Sequence, residues 1–179
     1  MNDYGEKIAP DTIRFERLLP GPIERVWSYL VESEKRGQWL CRGETQLRVG
    51  GKVDMHFHNA GISTKADIPP PEKHRDMPEK MRYSGTVTAC DPPHLLSHTW
   101  DFEGESSEVR YELSKQDDKV KLVLTHSRIS SREDMLGTFG GWHTHLEVLI
   151  DVMAGKEPHP FWTRYTKFEA EYEDRMSDN

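Results

Sequence analysis

Two stretches decide the fold: KVKLVLTHS at positions 119–127 and GGWHTHLEVLIDVMAG at positions 140–155. The first alternates apolar and polar residues, which is typical of a strand with one buried face. That face carries Val120, Leu122, Leu124 and His126. The second has an apolar stripe at helical spacing, formed by Trp142, Leu146, Leu149, Ile150 and Met153. The pair predicts a long C-terminal helix, opened by Gly141-Trp142 and ended by Gly155, that faces a sheet.

Five further alternating stretches lie upstream and predict an antiparallel meander of strands. They occupy positions 12–19, 50–58, 81–90, 94–102 and 107–114. Gly104-Glu105 and Asp117-Asp118 are the expected turn centres of the last two hairpins.

Two short helices are expected between the first two strands. Pro22 can open the first, because its missing N–H is not needed in the first turn of a helix. The second is expected at 33–40, with Ser33 as its N-cap. This order of elements predicts an α+β fold, in which a curved antiparallel sheet of about six to seven strands wraps round the long C-terminal helix.

Two segments fall outside this pattern. The stretch 60–81 contains four prolines, which block sheet pairing, so a long loop is expected, either a functional lid or a mobile insertion. A further helix is predicted at 161–176. Its apolar stripe is Phe161, Tyr165, Phe168 and Tyr172. This stripe either packs back on the domain or makes a contact with a second copy.

Four groups of residues, taken in order, resemble the START-like (SRPBCC) superfamily, which includes polyketide cyclases and lipid-transfer domains. Within it they are similar to the branch named for the activator of heat-shock-protein-90 ATPase homologue. The groups are Pro22 to Trp27; Gly50-Gly51 and the strand that follows; Gly85 through Asp91-Pro92-Pro93 to Thr99-Trp100; and His126 followed by Gly141-Trp142, Leu146 and Leu149.

The resemblance implies a helix-grip domain over 11–155, with a cavity between the sheet and the long helix. Residues 156–179 are then a C-terminal helical extension of the same domain. The resemblance implies no single activity, because one fold carries many functions. The eukaryotic co-chaperone of this branch also has a separate N-terminal domain that contributes to chaperone binding, and nothing in this sequence corresponds to it.

Composition narrows the expected partners. The chain has a formal net charge of −7, and an acidic surface repels phosphate backbones, so nucleic acid is not expected as a partner. The N-terminal residues lack the apolar core of a signal peptide, and no apolar stretch approaches the ~20 residues of a spanning helix. We therefore expect a cytoplasmic protein without a membrane span, in which Cys41 and Cys90 are free thiols.

No common catalytic or cofactor motif occurs in the sequence, which lacks GxSxG, P-loop, GxGxxG and HExxH patterns. No catalytic residue and no cofactor are therefore assigned. His56 and His58 share the outer face of a predicted strand, opposite Phe57, so no metal site is expected there. His143 and Glu147 lie one helical turn apart, which predicts a surface ion pair or a cap.

The inward-facing positions define a candidate ligand cavity. Its residues are Met55, Phe57, Tyr83, Trp100, Leu122, Leu124, His126, Trp142, Leu146, Leu149, Ile150 and Met153. An apolar lining with a few polar groups is the usual form of a small-molecule site. Two positions stay open: His126 is either a satisfied core histidine or a cavity residue, and Trp100 belongs either to the core or to the cavity wall.

Three functions from different classes follow. The favoured one is binding of a small hydrophobic ligand in this cavity. The second is a co-chaperone-like or stress-response interaction module, which binds a chaperone or associates with itself through the C-terminal helix. The third is an enzyme of the cyclase or dehydratase type that uses His126 or Tyr83 as acid or base.

Overall fold

A computed structural model describes residues 3–177 of the chain. Its elements are β1 (Glu6–Ala9), β2 (Thr12–Pro20), α1 (Ile23–Val31), α2 (Ser33–Arg36), β3 (Lys52–Phe57), β4 (Met81–Asp91), β5 (Leu95–Phe102), β6 (Glu105–Gln116), β7 (Lys119–Ser127), α3 (Arg132–Met153) and α4 (Phe161–Ser177). The α+β class and the helix-grip arrangement predicted from the sequence are confirmed.

The strands form one antiparallel sheet in the order β1-β2-β7-β6-β5-β4-β3. Pairing in register places Leu124 beside Phe15 on one neighbour and beside Tyr111 on the other. Because side chains alternate between the faces of a strand, these three lie together on the inner face. The alternation read from the sequence therefore gives the correct inner face for these strands.

Helix α3 lies between the sheet and α4. Leu146 and Leu149 are fully buried in the core with the inner side chains of the sheet. On another side of α3, the His143 ring stacks on Phe168 with centroids 3.7 Å apart. The stripe of α4 is therefore buried, and this helix packs back on the domain, which was one of the two alternatives left open.

Some boundaries differ from the prediction. Helix α3 begins at Arg132 rather than at Gly141, because the Ser131 side chain caps it by accepting a hydrogen bond from the Asp134 backbone N–H at 3.0 Å. Helix α2 ends at Arg36 rather than at position 40. Ser33 is not its N-cap, since its hydroxyl accepts the Gly43 backbone N–H at 2.9 Å instead.

Two smaller differences concern the strands. The turn between β5 and β6 is centred on Glu103-Gly104 rather than on Gly104-Glu105. Strand β1 was not predicted, because its four residues are mostly exposed and show no alternation. The two cysteines are both free, with Cys41 buried and Cys90 half-buried, as expected.

The long loop 60–80, which we call the strap, lies across the start of α4. Met81, the last residue of the loop expected from the sequence, is the first residue of β4. Within it, the Asp67 carboxylate accepts the backbone N–H groups of Trp162 and Thr163 at 2.7 and 2.9 Å. Asp67 therefore caps α4 from a distant part of the chain. The Ser63 hydroxyl adds a bond of 2.8 Å to the Pro158 carbonyl oxygen, so the strap is tied to the segment that leads into α4.

Across residues 3–177, none of the helices combines the length and the apolar content needed to cross a bilayer.

Candidate functional site

A cleft of about 740 Å³ opens between the sheet, the first half of α3, the start of α4 and the strap. Five of the predicted cavity residues line it, namely Phe57, Tyr83, Trp100, His126 and Trp142. The other seven do not line it: Met55, Leu122, Leu124, Leu146, Leu149, Ile150 and Met153. Apart from the half-buried Ile150, these seven are buried in the core. The inner face therefore divides into a packed part and an open part.

Aromatic rings from three strands and α3 form one continuous wall of the cleft. The Phe57 ring lies 5.5 Å from Tyr83 and 5.4 Å from Trp100 between centroids. Trp100 in turn lies 5.8 Å from Trp142, edge to face. Aromatic pairs at these separations stabilise one another, so the wall is a preformed apolar surface on rigid elements.

A chain of hydrogen bonds runs along the floor of the cleft. The Trp142 indole N–H donates to His126 Nδ1 at 2.9 Å, and His126 Nε2 lies 2.8 Å from Ser107 Oγ. An indole N–H can only donate, so Nδ1 is the acceptor and the proton of the neutral imidazole resides on Nε2. Nε2–H therefore donates to Ser107 Oγ. Burial, with a smaller effect of His98, lowers the pKa of His126 to about 3, so this ring is neutral at pH 7.

The two residues considered for acid–base work are constrained. Both ring nitrogens of His126 are engaged, so it has no free lone pair with which to take a proton. Burial and the nearby Glu103 charge raise the pKa of Tyr83, and its hydroxyl donates to Met81 Sδ at 3.4 Å. Neither group has the properties of a general base at pH 7.

His145 is another titratable group of the cleft, and it is not among the residues predicted for the cavity. Its Nδ1 lies 2.7 Å from the Trp39 carbonyl oxygen, which can only accept, so Nδ1 carries the proton. Nε2 then holds a lone pair, with no hydrogen-bond partner among the residues that the structure describes. Burial lowers the pKa of His145 to about 4. His145 lines the cleft and gives it an acceptor.

The prediction of a surface ion pair or a cap for His143 and Glu147 is wrong. His143 is only 2% exposed, because α4 covers this face of α3, and its Nδ1 lies 2.9 Å from the Tyr172 hydroxyl. Glu147 instead forms an ion pair with Arg164 at 3.2 Å. Helical spacing alone did not reveal that a second helix would cover His143.

The strap closes one side of the cleft through a buried carboxylate on α4. Glu169 Oε1 lies 2.8 Å from Lys73 Nζ and accepts the Tyr165 hydroxyl at 2.9 Å. His74 Nε2 lies 3.1 Å from the same hydroxyl. Lys73, His74 and Tyr165 all line the cleft, so the ion pair fixes part of its wall.

Sequence reasoning missed the wall contributed by the start of α3, by α4 and by the strap. The missed residues include Met77, Gly137, Gly141, Phe161, Trp162 and Tyr165. One signal was available, since Ser131 followed three residues later by Asp134 is a pattern that opens helices. No local pattern places the strap against α4, because that contact joins segments about 95 residues apart.

Residues 3–177 contain no group of three or more His, Cys, Asp or Glu side chains able to hold a metal ion. His56 and His58 are exposed and point outward. His58 Nε2 lies 2.8 Å from a Glu79 carboxylate oxygen on the surface.

Comparisons with known proteins give one family. A family model described as "Activator of Hsp90 ATPase homolog 1-like protein" matches residues 20–154. A solution NMR structure of the Bordetella parapertussis protein encoded by BPP1335 is 40% identical, with 97% of this chain and 91% of that chain covered and a TM-score of 0.79. A search among curated proteins gave no match.

Two more distant structures share the fold alone. CalU16 from Micromonospora echinospora is 22% identical, with 90% of this chain and 84% of that chain covered and a TM-score of 0.64. EF2215 from Enterococcus faecalis is 20% identical, with coverage of 96% and 89% and a TM-score of 0.66.

Proposed function

Since this chain belongs to the family of Activator of Hsp90 ATPase homolog 1-like proteins, we propose that it binds a small, largely apolar ligand in the cleft described above. The observation that carries the proposal is the aromatic wall around a space of about 740 Å³. That volume lies within the range of roughly 300–1,000 Å³ that is usual for small-molecule sites.

The composition of the wall supports a ligand that contains rings. Phe57, Tyr83, Trp100 and Trp142 offer ring faces and edges, which pack well against other flat apolar groups. These rings lie on strands and on helix α3, so their side chains lose little conformational entropy when a ligand binds. Among the polar groups that line the cleft, Ser107 and His145 are the two that we expect to orient a ligand at the aromatic wall.

Native mass spectrometry of the protein purified from its own host tests the proposal directly. We expect a molecule of a few hundred daltons that is released on denaturation in near-stoichiometric amount. An empty protein with a co-purifying chaperone would instead favour the interaction module, which stays a prediction from the resemblance. The cytoplasmic location also stays a prediction, made from the residues of the sequence.

A fluorescent probe locates binding within the molecule. N-phenyl-1-naphthylamine is neutral and apolar, and its emission should rise and saturate with the wild-type protein. Gly141→Leu should abolish most of this rise, because Gly141 lines the cleft and a Cβ added there meets no other atom within 4 Å, which leaves room for the larger side chain to occupy the cleft. Ala170→Leu adds a similar side chain at an exposed position of α4 and should change nothing. An equal response of both variants would contradict binding in the cleft.

A second candidate function, acid–base catalysis of the cyclase or dehydratase type, is favoured by one observation. His145 presents a bare Nε2 to the cleft while its other nitrogen is held by the Trp39 carbonyl oxygen. A positioned imidazole of this kind can accept a proton, although a pKa of about 4 makes it a weak base. Turnover of the molecule released from the native protein, lost in His145→Gln with binding retained, would support this function.

We further propose that 11–155 and the helical extension 156–179 act as one domain. Helix α4 supports this, because Phe161, Trp162 and Tyr165 complete the wall of the same cleft. Removal of residues from position 156 onward should therefore lower both stability and probe binding.

A further inference from the structure

Most of the hydroxyl groups that line the cleft already donate to an acceptor of the protein. These bonds run from Ser106 to Asp101 at 2.6 Å, from Ser130 to Asp134 at 2.7 Å, from Thr138 to the Asp134 carbonyl oxygen at 2.6 Å, from Tyr165 to Glu169 at 2.9 Å and from Tyr83 to Met81 Sδ at 3.4 Å. Ser107 differs from all of them. Its Oγ has one hydrogen-bond neighbour in the described part of the chain, His126 Nε2, and that neighbour is a donor.

The direction of the hydrogen bonds from Trp142 through His126 to Ser107 leaves the Ser107 hydroxyl proton without an acceptor among the described residues. Trp142 donates to His126, and His126 therefore donates to Ser107 Oγ. The hydroxyl proton of Ser107 cannot point back at an N–H, and residues 3–177 offer it no acceptor. Ser107 is half-buried on the inner face of β6, paired with Trp100 across the strands. The space in front of it is the cleft.

We propose that the Ser107 hydroxyl is the polar recognition point of the cleft, where it donates a hydrogen bond to an acceptor atom such as a carbonyl oxygen on a ring-containing apolar ligand. This inference rests on the proposed function and names the ligand class that the site selects. Trp142 and His126 are positioning residues, because they act only by fixing the direction in which Ser107 donates.

The charges around the cleft favour a neutral acceptor over an anion. Glu105, Glu133 and Asp134 line the cleft. The lining cations already have carboxylate partners, since Lys73 Nζ lies 2.8 Å from Glu169 and the Arg128 guanidinium lies 3.4 Å from Glu108. A ligand carboxylate would meet uncompensated negative charge, whereas a ketone or ether oxygen would not.

Two probes of nearly equal shape isolate the acceptor: indan-1-one, which has a ring carbonyl, and indane, which lacks it. Their dissociation constants are measured by chemical-shift titration of the tryptophan indole N–H signals. For each protein we take the ratio of the two dissociation constants. This ratio is then compared between the wild type and each variant, so that the different hydration of the two probes cancels. Ser107→Ala should shift this ratio against indan-1-one by about three- to tenfold, the usual contribution of one neutral hydrogen bond.

Matched variants serve as controls. Ser84→Ala removes an exposed hydroxyl that lies outside the cleft and should leave the ratio unchanged, and Ser107→Thr retains the donor and should keep the wild-type ratio. If both probes bind and Ser107→Ala does not move the ratio, the inference is overturned while ligand binding in the cleft stands. If neither probe binds, the proposed function fails and the inference fails with it.

The positioning role has its own readout. Trp142→Phe removes the indole N–H, so His126 is free to carry its proton on Nδ1, and Ser107 can then donate to Nε2 instead of to a ligand. We expect the probe ratio to shift as in Ser107→Ala, and the ¹⁵N shifts of the His126 ring to show loss of the pure Nε2–H form. If the wild-type His126 ring carries its proton on Nδ1, the proposed direction of the hydrogen bonds from Trp142 to Ser107 is overturned.

Discussion

The two ends of the interior along α3 are built from the same sheet and the same helix, yet only one is filled. At the packed end, which we define by Leu122, Leu146 and Leu149, every one of these side chains is fully buried. At the open end, the helix carries Gly137 and Gly141, and the cleft lies in front of them. A cavity therefore arises where the helix lacks side-chain volume, and not where its apolar pattern changes.

The largest effect that separates the two ends should come from a truncation at the packed end. Leu146→Ala should lower the free energy of unfolding by about 2–5 kcal/mol, because it leaves a void among close-packed side chains. Urea unfolding measures this loss. Met81→Ala at the cleft wall is the matched truncation and should lose clearly less, since its neighbours already border open space. Equal losses would show that the two ends are packed alike.

The alternation of apolar residues in the sequence predicts which side chains face the interior. It does not predict which part of the interior is packed and which part is open. Alternation correctly placed Leu122, Leu124 and His126 inward, and these side chains do face the interior. Parity says which way a side chain points, but not whether a partner fills the space in front of it. Whether the space is filled depends on where α3 starts and on its glycines. The sequence predicts the start of this helix at Gly141, whereas α3 begins at Arg132.

The rest of the cleft depends on contacts between distant segments. Asp67 caps α4 and Glu169 holds Lys73, but no period or motif in the strap indicates either partner. The burial of His143 was missed for the same reason, since the packing of α4 on α3 is a tertiary contact. Local patterns predicted the layers of this fold, and long-range contacts determine the shape of the site.

Acid should also weaken the protein, through one buried histidine at the open end and one between α3 and α4. Burial lowers the pKa of His126 at the open end to about 3 and that of His143, which packs against α4, to about 3, against an ordinary value of about 6.5. The unfolded chain takes up these protons below about pH 6.5 while the folded protein does not. Stability is therefore complete above that pH and is lost as the pH falls.

We expect the loss to approach about 1.4 kcal/mol per pH unit for each such histidine between about pH 6 and pH 4.5. Urea unfolding at a series of pH values measures the total, and ring ¹⁵N shifts assign it. Should His126 titrate near pH 6 while His143 stays neutral, the floor of the cleft would be solvated like a surface, unlike the buried contact between α3 and α4.

The cap that holds the strap gives a smaller effect, confined to the open end. Asp67→Ala removes the acceptor for two backbone N–H groups of α4 and should lower stability by about 0.5–2 kcal/mol. It should also speed amide exchange in the strap and at the start of α4. Asp76→Ala, at an exposed position of the same strap, should have no measurable effect, and an equal loss there would show that charge rather than capping is responsible.

The smallest effect is expected at two adjacent glycines of α3. Gly141 lines the cleft, whereas Gly140 faces α4. A Cβ at Gly141 meets no atom within 4 Å, so Gly141→Ala should stabilise the helix by about 0.5–1 kcal/mol. A Cβ at Gly140 would lie 3.2 Å from the Tyr165 ring and 3.4 Å from Glu169 Cβ, so Gly140→Ala should lose this gain or destabilise the protein. Thermal unfolding of both variants gives the comparison within one helical turn. A gain at Gly140 equal to that at Gly141 would mean that α4 can move away from α3, and the wall that α4 gives the cleft would then be adjustable rather than fixed.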